Sequence, residues 1–394
     1  MSAMRDYHLL ERSTHELYWF DRRDFLETAG YRLRPKFHPD FIPDVGRRAL
    51  EDYEATHFKR TLMDAHRMSD NKPVMLKTVL TSVHPHEVEL AGLFSSPELA
   101  GNSRNHCIPI LEVLQDPEDS DKQIIVMPRL IDFCQTKFDT VGEVIHCFRQ
   151  IFEAFQFMHE NFVAHRDCSR LNIVQDPSRL FPSGYHPVHT WQSATSDWPA
   201  RYITRTECWP RYFVIDFGLS RQYDPSDGPP LEYVIMGGDR SPPEFKTHQL
   251  CNPFPTDIYC LGNLLRKYFL FSQKDKLQGI IRPSLSFLEP LVTEMTLLDP
   301  SMRPTIGEVC ERFDKLCSGL TWWQLRQPGQ RHSFRFYQRV RQVWRTMFFV
   351  RPIPRYTPRA DRPRLSKELR DFYTQIPLDK GDFLWPEFEK PCAS

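Results

Sequence analysis

The pattern of apolar residues changes character near residue 130, and that change restricts the chain to a fold with a strand-rich first part and a helical second part. Before it, Arg60–Ala65 and Val74–Leu80 read as strands around the turn Asp70-Asn71. Residues 85–95 read as a helix with Val88, Leu90, Leu93 and Phe94 apolar, and Ile108–Leu114 and Gln123–Met127 read as strands flanking the acidic turn Asp116–Asp121. After it, Val141, Val144, Ile145, Phe148, Ile151, Phe152, Phe155 and Met158 recur at spacings of three and four, the signature of a helix with one buried face. A polar loop follows at once: His165-Arg166-Asp167-Cys168-Ser169-Arg170-Leu171-Asn172. Further on, the apolar run Tyr212–Ile215 ends at Asp216-Phe217-Gly218, and helices are expected over 257–271, 285–298 and 305–317, with Thr256 and Thr305 as N-caps.

The polar loop resembles the catalytic loop of protein kinases, His-Arg-Asp followed by an Asn, and Asp216-Phe217-Gly218 resembles the metal-binding motif that follows it in that family. Four more segments match in order. Val74-Met75-Leu76-Lys77 resembles the strand bearing the phosphate-binding lysine. Glu87, with Leu90, Ala91 and Phe94 at +3, +4 and +7, resembles its helical partner; Glu89, on another helix face, is the competing choice. Pro242-Pro243-Glu244 resembles the segment whose acid pairs with a late arginine, here Arg303, and Asp257–Gly262 resembles the helix start whose Asp holds the catalytic-loop backbone. The resemblance covers residues 60–317 and is closest to divergent kinase-like proteins of basidiomycete fungi.

The resemblance implies an α+β, bilobal protein-kinase-like fold, with a strand-rich small lobe and a mainly helical large lobe. It sets an N-terminal extension at 1–50, the small lobe at 51–130, the large lobe at 131–320 with an insertion at 177–210, and a basic tail at 321–394. It implies transfer of the γ-phosphoryl group of ATP to a protein hydroxyl, Ser/Thr ahead of Tyr, with Mg²⁺. Asp167 would orient the hydroxyl and accept its proton, with Arg170 beside it. Asn172 and Asp216 would hold the metal, and Lys77, paired to Glu87, would grip the phosphates. Met75, Met127, Pro128, Leu130 and Val174 would line the nucleotide pocket, with Met127 before a hinge in which Pro128 supplies a carbonyl but no N–H.

Several residues depart from the family pattern. No glycine-rich loop precedes Lys77, since Gly46 is the only glycine between Gly30 and the helix after Lys77. Met75 replaces the usual small residue over the adenine ring, Gly237 replaces a threonine that supports the catalytic Asp, and Asp216 lies 44 positions after Asn172 where a short hairpin suffices. A pseudokinase scaffold that binds nucleotide weakly or not at all therefore stands as the alternative. A kinase-fold enzyme acting on a small-molecule hydroxyl is a third reading, opposed by Arg303 and the Pro-Pro-Glu segment.

Composition bears on partners and compartment. Net charge is zero overall, yet residues 321–394 carry 15 Lys/Arg against 7 Asp/Glu, and residues 321–360 hold nine Arg and no acid. Tyr337, Val340, Val343, Trp344, Met347 and Phe348 recur at mostly helical spacing in that tail. A helix packed on the acidic remainder is one expectation; docking on an anionic membrane surface or an acidic partner is another, and nucleic acid is a lesser one. The ten cysteines form no C-x-x-C pair, and reduced thiols are expected. The charged N-terminus lacks an apolar signal core, so a cytoplasmic or nuclear protein is expected, with the oligomeric state left open.

Overall fold

The computed structural model describes residues 14–41, 61–187, 189–193, 198–247, 249–271 and 282–329. The helix expected within 334–348 lies outside them. The first described part holds α1 (Thr14–Asp21), α2 (Arg23–Thr28), β1 (Tyr31–Leu33), β2 (Leu62–Arg67), β3 (Lys72–Leu80), α3 (Glu87–Phe94), α4 (Pro97–Ala100), β4 (Glu112–Gln115) and β5 (Lys122–Pro128). The five strands form one antiparallel sheet in the order β1-β2-β3-β5-β4.

Strand periodicity sorts the side chains of this sheet. Val74, Leu76, Ile124 and Val126 bury against Trp19 and Leu26 of α1 and α2. Their alternates Met75, Lys77, Ile125 and Met127 line the other face, as a period of two requires. The register sets Met75 opposite Met127 and Lys77 opposite Ile125. Residues 14–41 thus pack on the sheet as an extension would, and they also add the edge strand β1, paired Tyr31 to Arg67 and Leu33 to Ala65.

The second part is mainly helical. It contains β6 (Ile131–Asp132), α5 (Val141–Glu160), β7 (Val163–Ala164), β8 (Ile173–Gln175), α6 (Arg205–Cys208), β9 (Tyr212–Val214), β10 (Arg221–Gln222), β11 (Glu232–Tyr233), β12 (Leu250–Cys251), α7 (Pro253–Leu265), α8 (Glu289–Met295), α9 (Ile306–Ser318) and α10 (Trp322–Arg326). The apolar face of α5 lies at the centre of the large core, against Phe269, Leu261, Val309 and Phe313. Thr140 and Glu143 close a capping box at its start, and Thr305 and Glu308 do the same for α9, as expected of Thr305. Mixed helix and antiparallel sheet make the class α+β.

Three expectations are corrected. The helix expected to begin after Thr256 begins at Pro253: Asn252 caps it by accepting from Phe254 N, and proline is tolerated at the first position. Thr256 lies inside α7, and its hydroxyl donates to Glu244 at 2.7 Å. Of the run 108–114, only Glu112–Leu114 belongs to a strand; Pro109 has no N–H to give a ladder, and Ile108 bonds instead to Val214. The helix expected over 285–298 is a 3₁₀ turn at Pro283–Leu288 followed by α8.

The insertion at 177–210 builds a small core, in which Leu180, Phe181, Tyr185 and Cys208 pack against Ile131. Arg205 is 1% exposed and donates to the backbone carbonyls of Phe133 and Thr136, to Gln175 and to the Tyr212 hydroxyl. Its guanidinium also lies 3.8 Å from the centre of the Phe138 ring. One arginine thereby ties the end of the insertion to the segments on either side of it.

Eight of the nine described cysteines are buried and none is in a disulfide. Among the described residues no helix is long and apolar enough to cross a membrane.

Candidate active site

A cavity of about 1090 Å³ opens between the inner face of the sheet and the loops at the ends of β7, β8 and β9. Met75, Lys77, Glu87, Met127, Pro128, Leu130, Asp167, Asn172, Val174 and Asp216 all line it. Ten of the eleven residues singled out from sequence therefore share one cavity. Arg170 is the exception: its guanidinium donates at 2.7 Å to Asp132, which lines the cavity.

Three of these groups form a charged chain. Lys77, on β3, bonds Glu87 at the start of α3 and reaches Asp216 Oδ1 at 2.8 Å. Glu87 is buried, whereas Glu89 faces solvent beside His86. Burial of the Lys77 ammonium would push its pKa down, but the facing carboxylates of Glu87 and Asp216 outweigh it and the net direction is up. Lys77 therefore stays charged.

The loop carrying Asp167 is held from beneath. Asp257, 1% exposed on α7, accepts from the backbone amides of His165 and Arg166, each at 2.8 Å, and faces His159 Nε2 at 3.0 Å. Arg166 and Asp216 both adopt left-handed backbone, with φ of 66° and 72°. Non-glycine residues pay strain for that conformation, and it persists only where neighbours dictate it. Here His165 Nε2 meets the Ile215 carbonyl at 3.1 Å, and Phe217 packs between His165 and Phe94. The loop and the Asp216 turn are thus locked to each other and to α3.

Asp167 itself is oriented twice. Asn172 donates through Nδ2 to its carboxylate and to its backbone carbonyl, both at 2.9 Å. Gly238 donates its backbone N–H to Oδ1 at 2.6 Å. A Cβ on Gly237 would collide with that oxygen. The departure at Gly237 thus has a structural consequence: absence of a side chain lets the neighbouring amide reach Asp167.

Arg303 and Glu244 form a bidentate pair at 2.7 and 2.8 Å with both side chains fully buried. Three further groups went unread in the sequence: Gly238, Asp132 in the cavity wall, and Glu232, which meets Arg166. The Gly-Gly-Asp run before Pro242 was the available signal for the first. The other two depend on long-range pairing.

Among the described residues no cluster of three or more His, Cys, Asp or Glu could hold a metal unaided. Asp216 and Asn172 both offer oxygen donors to the cavity. Asn172 spends its amide nitrogen on Asp167, which leaves its carbonyl oxygen for a cation.

No family model and no curated protein matches the sequence. Among solved structures, the chain is similar to the twitchin kinase region from C. elegans at 15% identity and a TM-score of 0.44, over 73% of this chain and 48% of that one. The chain spans about half the length of that structure, and an overlap of this quality carries no argument. The α+β class rests on the sheet and helices themselves.

Proposed function

We propose that this chain is a protein kinase of the bilobal kinase-like fold, moving the γ-phosphoryl group of ATP to a protein hydroxyl, Ser/Thr ahead of Tyr. The observation that supports this reading is the convergence of Lys77, Glu87, Asp167, Asn172 and Asp216, drawn from four separate segments, on one cavity. A fold has no structural need to gather a lysine, an amide and three acids at an open wall.

Each residue has a task that its chemistry suits. Lys77, kept cationic by Glu87, faces the phosphates. Asp167, held by Asn172 and Gly238, accepts the proton of the acceptor hydroxyl as it attacks. Met75, Met127, Leu130 and Val174 offer an apolar slot for the base, with backbone groups near Pro128 at its rim. Asp216 and Asn172 carry the oxygen donors that Mg²⁺ prefers, and two protein oxygens suit an ion that completes its shell with phosphate and water. Such an ion, when bound, would neutralise phosphate charge. The basic segment 321–360 would dock on an acidic partner or an anionic membrane surface.

One observation favours the second reading, a scaffold without transfer activity: no glycine-rich stretch precedes Lys77 to bring backbone amides to the phosphates. Thermal unfolding separates the two readings. Saturating ATP with Mg²⁺ is expected to raise Tm by about 2–4 °C, as ligand linkage gives for a domain of this size. Lys77→Met is expected to lose the shift. No shift in the wild type at millimolar ATP would remove the nucleotide site.

A further inference from the structure

His84 stands in the turn between β3 and α3 and lines the cavity beside Lys77, Glu87 and Asp216. Its Nδ1 lies 2.9 Å from the backbone carbonyl oxygen of Gly218, 134 positions away. A carbonyl only accepts, so Nδ1 carries a proton and donates it. In the neutral ring that fixes the tautomer. The approach is close: a Cβ on Gly218 would lie 3.2 Å from His84 Nδ1 and 3.1 Å from Glu87 Oε2.

The turn that carries His84 is itself held. The His84 amide donates to the Leu80 carbonyl at 2.8 Å, and the Thr81 amide donates to the Asp121 carbonyl at 2.9 Å. The Asp121 carboxylate also accepts from the Ser82 amide and from the Thr81 and Ser82 hydroxyls. The imidazole thus projects from a fixed backbone. On its other side, the chain around Asp216 is fastened twice to the loop of Asp167: His165 Nε2 meets the Ile215 carbonyl, and the Ser220 hydroxyl donates to the His165 carbonyl at 3.0 Å. Both of those bonds lie outside the 3₁₀ turn Phe217–Leu219, whereas His84 takes a carbonyl within it. That turn directly follows Asp216, whose left-handed backbone persists only where neighbours dictate it.

We propose that His84 is a positioning residue for Asp216: its Nδ1–H, held on the Gly218 carbonyl, fixes the turn that sends the Asp216 carboxylate to Lys77 and into the cavity. The proposal rests on the phosphotransferase reading of that cavity. Without the donor, the Gly218 carbonyl turns to water, the strained backbone at Asp216 relaxes, and the carboxylate leaves the place where it offers an oxygen to Mg²⁺. Lys77 keeps Glu87, and the apolar slot for the base is untouched. The loss therefore falls on transfer more than on capture of ATP.

The test uses the full chain as wild type, His84→Leu, His84→Gln and His84→Asn. Leucine fills similar space with no donor, the glutamine amide reaches past the place of Nδ1, and the asparagine amide sets an N–H near it. Transfer from ATP with Mg²⁺ to a generic acceptor such as casein is measured first. His84→Leu and His84→Gln are expected to lose about 10- to 100-fold in kcat, the scale for removing a group that orients a metal-holding residue, with a smaller change in KM for ATP. His84→Asn is expected to recover most of that loss, as a merely space-filling role would not predict. A wild-type rate in His84→Leu, or equal losses in His84→Leu and His84→Asn, would overturn the proposal. Backbone hydrogen exchange over 216–220, read without nucleotide, needs no activity: it is expected to speed up in His84→Leu and not in His84→Asn. Should the wild type transfer nothing, the phosphotransferase reading fails on its own. Exchange then decides the contact separately: faster exchange in His84→Leu keeps His84 as the tie on the turn, and unchanged exchange sinks it.

Discussion

The backbone amide of Gly238 donates to Oδ1 of Asp167 across 2.6 Å, and the absence of a side chain on Gly237 is what permits the approach. The two residues lie 71 positions apart in sequence. Their contact links the segment between β11 and α7 to the carboxylate proposed to take the acceptor proton.

Gly237→Ala sets a methyl group against that oxygen. Transfer is expected to fall about 10²-fold through misplacement of Asp167, with ATP affinity unchanged because Lys77 and Asp216 are untouched. Steady-state kinetics with ATP varied at fixed acceptor checks both halves. A full rate in a folded variant would mean that the 238 amide does not position Asp167.

Arg303→Met leaves Glu244 buried without its guanidinium partner. The loss in unfolding free energy is expected to be about 3–5 kcal/mol, typical of breaking a fully buried pair. Adding Glu244→Gln to it should restore part of the loss, since the uncompensated charge is then gone. Urea denaturation followed by tryptophan fluorescence measures both. A loss below about 1 kcal/mol would place the pair among exposed ones, against its geometry.

Met75→Ala opens the cavity wall opposite Met127 and is expected to raise ATP affinity. The stability cost should stay below the roughly 2–5 kcal/mol of a fully buried Met→Ala change, because Met75 is only partly buried. Isothermal titration decides: unchanged or weaker binding in a folded variant would mean that Met75 does not crowd the base.

His146 links the fold to pH. Burial, reinforced by Arg149 and Arg205, pushes its pKa down from the usual 6.5 to about 4. The folded state therefore disfavours the protonated ring, and the stability involved is complete above the unfolded pKa and lost as pH falls from 6.5 through 4. At pH 5 the loss amounts to about 2 kcal/mol, at 1.36 kcal/mol per unit. Urea midpoints at pH 7 and pH 5 should differ less in His146→Gln than in wild type, and an equal difference would assign the acid sensitivity elsewhere.

Local rules carried the parts of this fold that local rules govern. Alternation over Val74–Leu80 located β3 and its two faces, and Thr305 marked the start of α9. Lys77, Glu87, Asp167, Asn172 and Asp216 were singled out by resemblance to short protein-kinase motifs, and the fold brings them to one cavity. What stayed hidden depends on partners distant in sequence. β1 is three residues long and exists only through pairing with β2. Arg205 looked like one more charged residue in a loop until its carbonyl partners at 133 and 136 surrounded it. Arg170 was drawn to Asp132 by an ion pair that spans 38 positions. Thr256 misled because its hydroxyl suits a cap, yet Glu244 claims it.

Phosphoryl transfer from γ-labelled ATP with Mg²⁺, compared between wild type and Asp216→Asn, bears most directly on the central claim. Asp216 meets Lys77 and offers the cavity a charged oxygen donor, so the variant should keep the fold, by circular dichroism and Tm, while losing label incorporation into itself and into casein. Wild type incorporating label and Asp216→Asn incorporating none is the predicted result; equal incorporation by both, or none by either, would contradict it.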